Sequence, residues 1–117
     1  MFCRVWSMVI HGVEAVPVRV EADVSDGMPM FTIVGYVSAQ VREAQDRVRT
    51  ALRNLGIILP PKRIVINLAP ANIRKDGPRF DLPIAAAVLL AIGRIPPRSL
   101  ENTMLIGELG LLSLIHI

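Results

Sequence analysis

The 117-residue chain has a single cysteine, Cys3, which excludes a disulfide framework. It has only two histidines, His11 and His116, far apart. Together these exclude zinc-ribbon and zinc-finger spacings. Neither charge sign dominates: 13 basic residues stand against 10 acidic ones, a net charge of +3. That balance permits a nucleic-acid partner without arguing for one. Mean hydropathy is high at +0.49, yet long apolar runs are missing. The longest, Leu82 to Ile92, has 11 residues and contains Pro83, whereas a spanning helix needs about 20. Arg4 is followed by short apolar stretches broken by His11, Gly12 and Glu14, which is no signal peptide. The expectation is a cytoplasmic protein without a membrane partner. The phosphate-cradling G-x-x-x-x-G-K-[ST], the G-x-S-x-G elbow and the H-E-x-x-H pair are also absent. No catalytic or metal-ligating residue is therefore assigned.

At 52% hydrophobic, the chain is too apolar for disorder and fits one compact domain. Residues 2–10 are β-branched and aromatic, and His11-Gly12 marks a turn. Residues 15–24 alternate, with Val16, Val18, Val20, Ala22 and Val24 on one face of a half-buried strand. Pro17 suits an edge or the strand's start. Ser25-Asp26-Gly27 forms a turn before a third strand, 30–34. These three predict an antiparallel meander. From Ser38 to Leu55 the period changes. Val41, Ala44, Val48, Ala51, Leu52 and Leu55 mark an amphipathic helix, with Ser38 as N-cap and Gly56 as its stop. Residues 63–68 read as a fourth strand. A Pro- and Asn-rich loop follows, and Asp81 caps a second helix with Pro83 in its first turn. That helix is apolar nearly all round, which predicts burial, and Gly93 ends it. Residues 103–109 begin a fifth strand. The class is α+β, a two-layer sandwich.

Two stretches carry chemistry. The first is basic: Arg42, Arg49 and Arg53 share a helix face, and Arg47, Lys62, Arg63, Arg74, Lys75 and Arg79 follow. The cluster suits phosphate contact. A solvated face explains it as well, since Glu43 and Asp46 share the helix and Glu43–Arg47 is a favourable i,i+4 pair. The second is the loop Asn67 to Pro83. Asn67 and Asn72 are suited to holding loop backbone, Asp76-Gly77 is an ordinary turn, and Pro70, Pro78 and Asp81 complete a structural frame. Cys3 has no base or helix start nearby and reads as an inert thiol.

At this loop the chain resembles a known family. Val41 to Asn54 (VREAQDRVRTALRN), Pro60 to Ala85 (PPKRIVINLAPANIRKDGPRFDLPIA) and Ile106 to Leu109 (IGEL) are similar to the N-terminal domain of Mg-chelatase-like AAA+ ATPases, as is Val24 to Gly35. The resemblance covers about residues 1–111. It implies the fold of the Lon protease C-terminal domain, shared with the second domain of a small-subunit ribosomal protein. It further implies a non-catalytic accessory domain of a hexameric ATPase, of which one branch acts in branch migration of recombining DNA during natural transformation. ATP and Mg are then expected only in the parent's AAA+ module. The implied partners are the rest of that ATPase, further copies of it, and DNA; for DNA, the clustering of basic residues makes Arg42, Arg49, Arg53, Lys62, Arg63, Arg74, Lys75 and Arg79 the candidate contacts. The alternatives are a structural oligomerisation module without DNA contact, and a fragment of a Mg-chelatase-related subunit. A Ser–Lys protease is not expected. Lon's nucleophile directly follows K-D-G-P, and here Lys75-Asp76-Gly77-Pro78 is followed by Arg79.

The ending GLLSLIHI places apolar residues at the terminus without a turn or cap. The family continues past G-E-L-G-L with an Asp-Gly hairpin, where Leu112-Ser113 stand here. The expectation is an incomplete domain over 1–111 and a non-native read-through tail over 112–117.

Overall fold

The computed structural model describes residues 1–110 and, for backbone alone, 115–116. Most of the expected tail, 112–117, thus lies outside the described residues. β1 (Phe2–His11) and β2 (Glu14–Ser25) form a long antiparallel hairpin. Its turn holds Gly12 at φ 65. The expected meander is corrected at the third strand. β3 (Met30–Gly35) does not lie beside β2. β4 (Arg63–Ala69) inserts between them, giving a four-stranded sheet of order β1-β2-β4-β3. β4 pairs antiparallel with β2 and parallel with β3. The physical reason is the intervening helix: a strand, a helix and a strand form a crossover unit, and crossovers join parallel neighbours. The strand RIVINLA then buries Ile64, Ile66 and Leu68 at the centre of the sheet.

Pro17 sits opposite Met8 on β1, while β2 pairs with β4 only from Arg19 onward. The missing donor therefore falls where β2 has one open side. At the end of β3, Gly35 has φ 123, and a Cβ there would stand 2.8 Å from the Leu68 carbonyl oxygen. Only glycine lets β3 leave the sheet so close to β4.

Two helical segments follow, α1 (Ala39–Arg42) and α2 (Ala44–Asn54), divided by a tight turn at Glu43. Ser38 caps as expected, its Oγ accepting from the Val41 N–H at 3.2 Å. Gly56, at φ 84, closes α2. Its N–H donates to Arg53 and that of Ile57 to Leu52, each at 2.9 Å, which satisfies two orphan carbonyls. A short 3₁₀ turn (Pro78–Phe80) leads into α3 (Asp81–Ala91). There Gly93 and Arg94 repeat the closure onto Leu90 and Leu89. α3 is buried on nearly every side, and Pro83 lies in its first turn.

The inward faces of β1, β2, β3 and β4 pack against α2 and α3 as two layers. The fifth strand is shorter than expected. Met104 makes one bridge to Trp6, and only Glu108–Leu109 (β5) form strand, paired with Ile115–His116 (β6). Backbone groups of Gly107 instead bond Leu82 and Arg79 at 3.0 Å, which draws the segment onto the start of α3.

Asp81 is corrected as well. Its side chain makes no cap bond; it is fully buried and turned to Arg47. Arg47 Nε donates to Oδ2 at 2.7 Å and Nη2 to Oδ1 at 2.9 Å, a two-pronged pair. Nη2 also donates to the Gln40 carbonyl at 2.9 Å, and the Leu109 N–H reaches Asp81 Oδ2 at 3.4 Å. The pair holds the Arg47 guanidinium above its ordinary pKa, chiefly through the bond to Asp81. Arg47→Ala strands a buried carboxylate and is expected to cost about 3 kcal/mol in urea unfolding. The double variant Arg47→Met/Asp81→Leu should lose much less; equal losses would show that the charge is not what matters.

Candidate nucleic-acid interface

α2 presents three surfaces. Ala44, Val48, Ala51 and Leu52 enter the core. Arg47 occupies one flank and is held by Asp81. Arg49 and Arg53, both exposed, lie along the other flank. There they line a cleft of about 410 Å³ together with Lys62, Phe31, Ile57, Ile58 and Pro60. Arg49 Cζ stands 5.6 Å from the centre of the Phe31 ring, a cation–π contact. Lys62 Nζ donates to Asp26 at 3.0 Å, but both groups are exposed, so the bridge is worth little. Asp26 is held below the usual carboxylate range first by that bond. The Arg53 guanidinium has no hydrogen-bond or ion-pair partner among the described residues. Arg63 is exposed at the position after Lys62.

The remaining basic candidates lie elsewhere. Arg42 lies along the outer edge of β3, its Nη1 donating to the Ile33 carbonyl at 3.1 Å. Arg74 and Arg79 are exposed on the loop at the opposite end of β3 and β4 from the cleft. Lys75 is corrected outright. It is fully buried, and its ammonium donates to the Pro70 carbonyl, so it cannot reach a phosphate. Burial pushes its pKa down. The Lys75 backbone bonds Tyr36 and Ser38, clamping the loop to the start of α1.

One further loop expectation is corrected. Asn67 does not hold loop backbone; its Nδ2 donates to Glu21 Oε1 at 2.9 Å, across the sheet. The two residues are register partners on β4 and β2, so they meet before the loop begins. Asp76 accepts from the Gly77 N–H at 2.8 Å. Its carboxyl is held below the usual range first by the Ser38 hydroxyl, then by Gly77 and Arg74. Gly77, at φ 84, turns the chain into Pro78. Burial pushes the Cys3 thiol up, away from reactivity. Among the described residues, no group of three or more His, Cys, Asp and Glu side chains is placed to hold a metal, and no helix is long and apolar enough to cross a membrane.

Sequence reading paired Arg47 with Glu43, four residues earlier, and missed its nearer partner, the buried Asp81, which no local spacing announces.

The sequence itself matches a known protein family. The model for subunit ChlI of Mg-chelatase matches residues 20–116. The chain belongs to that family. It is 48% identical over 100 residues to the uncharacterized protein YifB of Salmonella typhimurium, covering 86% of this chain and 20% of that one. It is 46% identical over 107 residues to competence protein ComM of Haemophilus influenzae, covering 92% and 21% respectively. The chain thus spans about a fifth of the length of the curated relatives it matches.

The buried ammonium gives a pH-dependent prediction. Between the depressed value of Lys75 and the ordinary 10.5, the unfolded chain binds the extra proton. Stability therefore rises with pH through that window. Lys75→Met should be at least as stable near neutral pH and should lack this alkaline gain. Urea midpoints of the two proteins from about pH 8 upward check it; parallel profiles would mean the amine keeps its water.

Proposed function

We propose that this chain is a non-catalytic N-terminal accessory domain of a Mg-chelatase-like AAA+ ATPase, with a Lon-protease-like two-layer frame. The parent acts in DNA processing, in branch migration during natural transformation. ATP and Mg belong to the parent's AAA+ module. The partners are the rest of that ATPase, further copies of it in a hexameric ring, and DNA. The reading is supported by the family and by the name of the competence relative. The observation that carries the DNA contact is the arginine pair Arg49 and Arg53, one helical turn apart and without carboxylate partners, facing the same cleft as Lys62.

A second reading, a structural interaction module, draws on a different feature. An apolar groove of about 300 Å³ runs between α2 and α3, lined by Leu52, Leu55, Leu82, Leu89 and Leu105. Leu55 is 61% exposed there. Charge reversal separates the two. In the full-length protein, Arg49→Glu/Arg53→Glu should weaken DNA binding at least about tenfold and lower the salt slope by about 2. Unchanged affinity with a disturbed ring would favour the interaction module instead.

A further inference from the structure

The cleft beside α2 has features that plain phosphate contact does not use. Arg49 and Arg53 are like charges at i,i+4, which costs the free helix a little. Neither is neutralised by a carboxylate, and Arg49 is laid over Phe31. The same cleft is lined by apolar residues, among them Ile58, 80% exposed, and Pro60-Pro61. Water-facing isoleucine next to unpaired guanidinium suits a ligand that is anionic on one side and flat and apolar on the other.

We infer that this cleft binds an unpaired nucleotide of single-stranded nucleic acid, its phosphates on Arg49 and Arg53 and its base against Ile58, Pro60 and the Arg49 guanidinium. The inference rests on the DNA reading above and narrows it. A duplex keeps its base faces stacked inside, so an apolar wall adds nothing to duplex binding. A single strand exposes those faces, and they stack on apolar, aromatic and guanidinium surfaces alike. The Phe31 ring under Arg49 orients that guanidinium before any ligand arrives. Three cations in one cleft, Arg49, Arg53 and Lys62, fit a chain of phosphates passing through rather than one carboxylate. An acidic peptide is less suited. Pro60 and Pro61 offer no N–H for a peptide backbone to pair with. The Lys62–Asp26 bridge is exposed and readily exchanged for a phosphate.

The test is fluorescence anisotropy with the full chain and three probes: labelled oligothymidylate, an abasic strand of the same length, and a duplex. Arg53→Glu and Ile58→Ser alter exposed side chains, and thermal melts check that both variants stay folded. Wild type should prefer oligothymidylate over the abasic strand by at least about fivefold. Ile58→Ser should abolish that preference and leave the salt slope unchanged. Arg53→Glu should weaken both strands about tenfold and lower the slope by about one. Equal binding of base-bearing and abasic strands, with Arg53→Glu still harmful, overturns this inference and leaves the DNA reading standing. No effect of Arg53→Glu on any probe overturns both. Competition by a polyglutamate peptide as strong as by unlabelled oligothymidylate also overturns the inference, since the cleft would then read charge alone.

Discussion

The arrangement depends on the pair between Arg47 and Asp81. Asp81 is fully buried at the start of a helix that is otherwise apolar. A carboxylate in that position is tolerable only when its charge is matched and its oxygens are bonded. Arg47 supplies both prongs, and the Leu109 N–H adds a third contact. Three elements that are distant in sequence, α2, α3 and β5, thereby meet at one carboxylate.

The same pair sets the rotation of α2. At about 100° per residue, Arg49 and Arg53 lie within roughly 40° of each other and well away from Arg47. With Arg47 anchored on the α3 side and Val48 and Leu52 in the core, the two remaining arginines project over the start of β3. The basic wall of the cleft is therefore a geometric consequence of a buried ion pair on the opposite flank. The buried face of Ala44, Val48, Ala51 and Leu52 and the two-pronged bond at 2.7 and 2.9 Å fix the same rotation.

Local structure was legible wherever a residue's role is settled by its near neighbours. Ser38, Gly56, Gly93 and Pro83 read correctly because caps, stops and first-turn prolines depend on a few adjacent backbone groups. The alternation of β2 showed which face is buried. Strand order was less visible, because alternation states which face is apolar and says nothing about which strand lies beside which. The helix between β3 and β4 was itself the clue to a parallel pair, outweighed by the short turns before it. Charged residues were the hardest. Lys75 stands in an Arg-Lys-Asp run that looks solvated, and Asp81 stands where a cap belongs. Both are buried because of partners distant in sequence or contributed by loop backbone: the Arg47 guanidinium and the Pro70 carbonyl. Of the basic candidates, the structure gathers Arg49, Arg53 and Lys62 into one cleft. No periodicity links Lys62 to a helix it never enters.

The two ends of the sheet handle charge in opposite ways. At the loop end, Lys75 is directed inward and clamps the chain, while Asp76 is bound by Ser38 and Gly77. The polar groups of the Lys-Asp-Gly-Pro segment thus bond within the loop and to the start of α1. At the cleft end, two guanidinium groups stand beside apolar surface without a carboxylate partner among the described residues, Arg49 resting on the Phe31 ring. Folding stability explains the first arrangement completely. It explains the second less well: Arg49 gains from the Phe31 ring, but two like charges at i,i+4 beside exposed isoleucine cost the helix a little. A contact outside the domain is what would make that end favourable. This is why the cleft, and not the loop with the most distinctive sequence, is the surface on which a function of this chain is best sought.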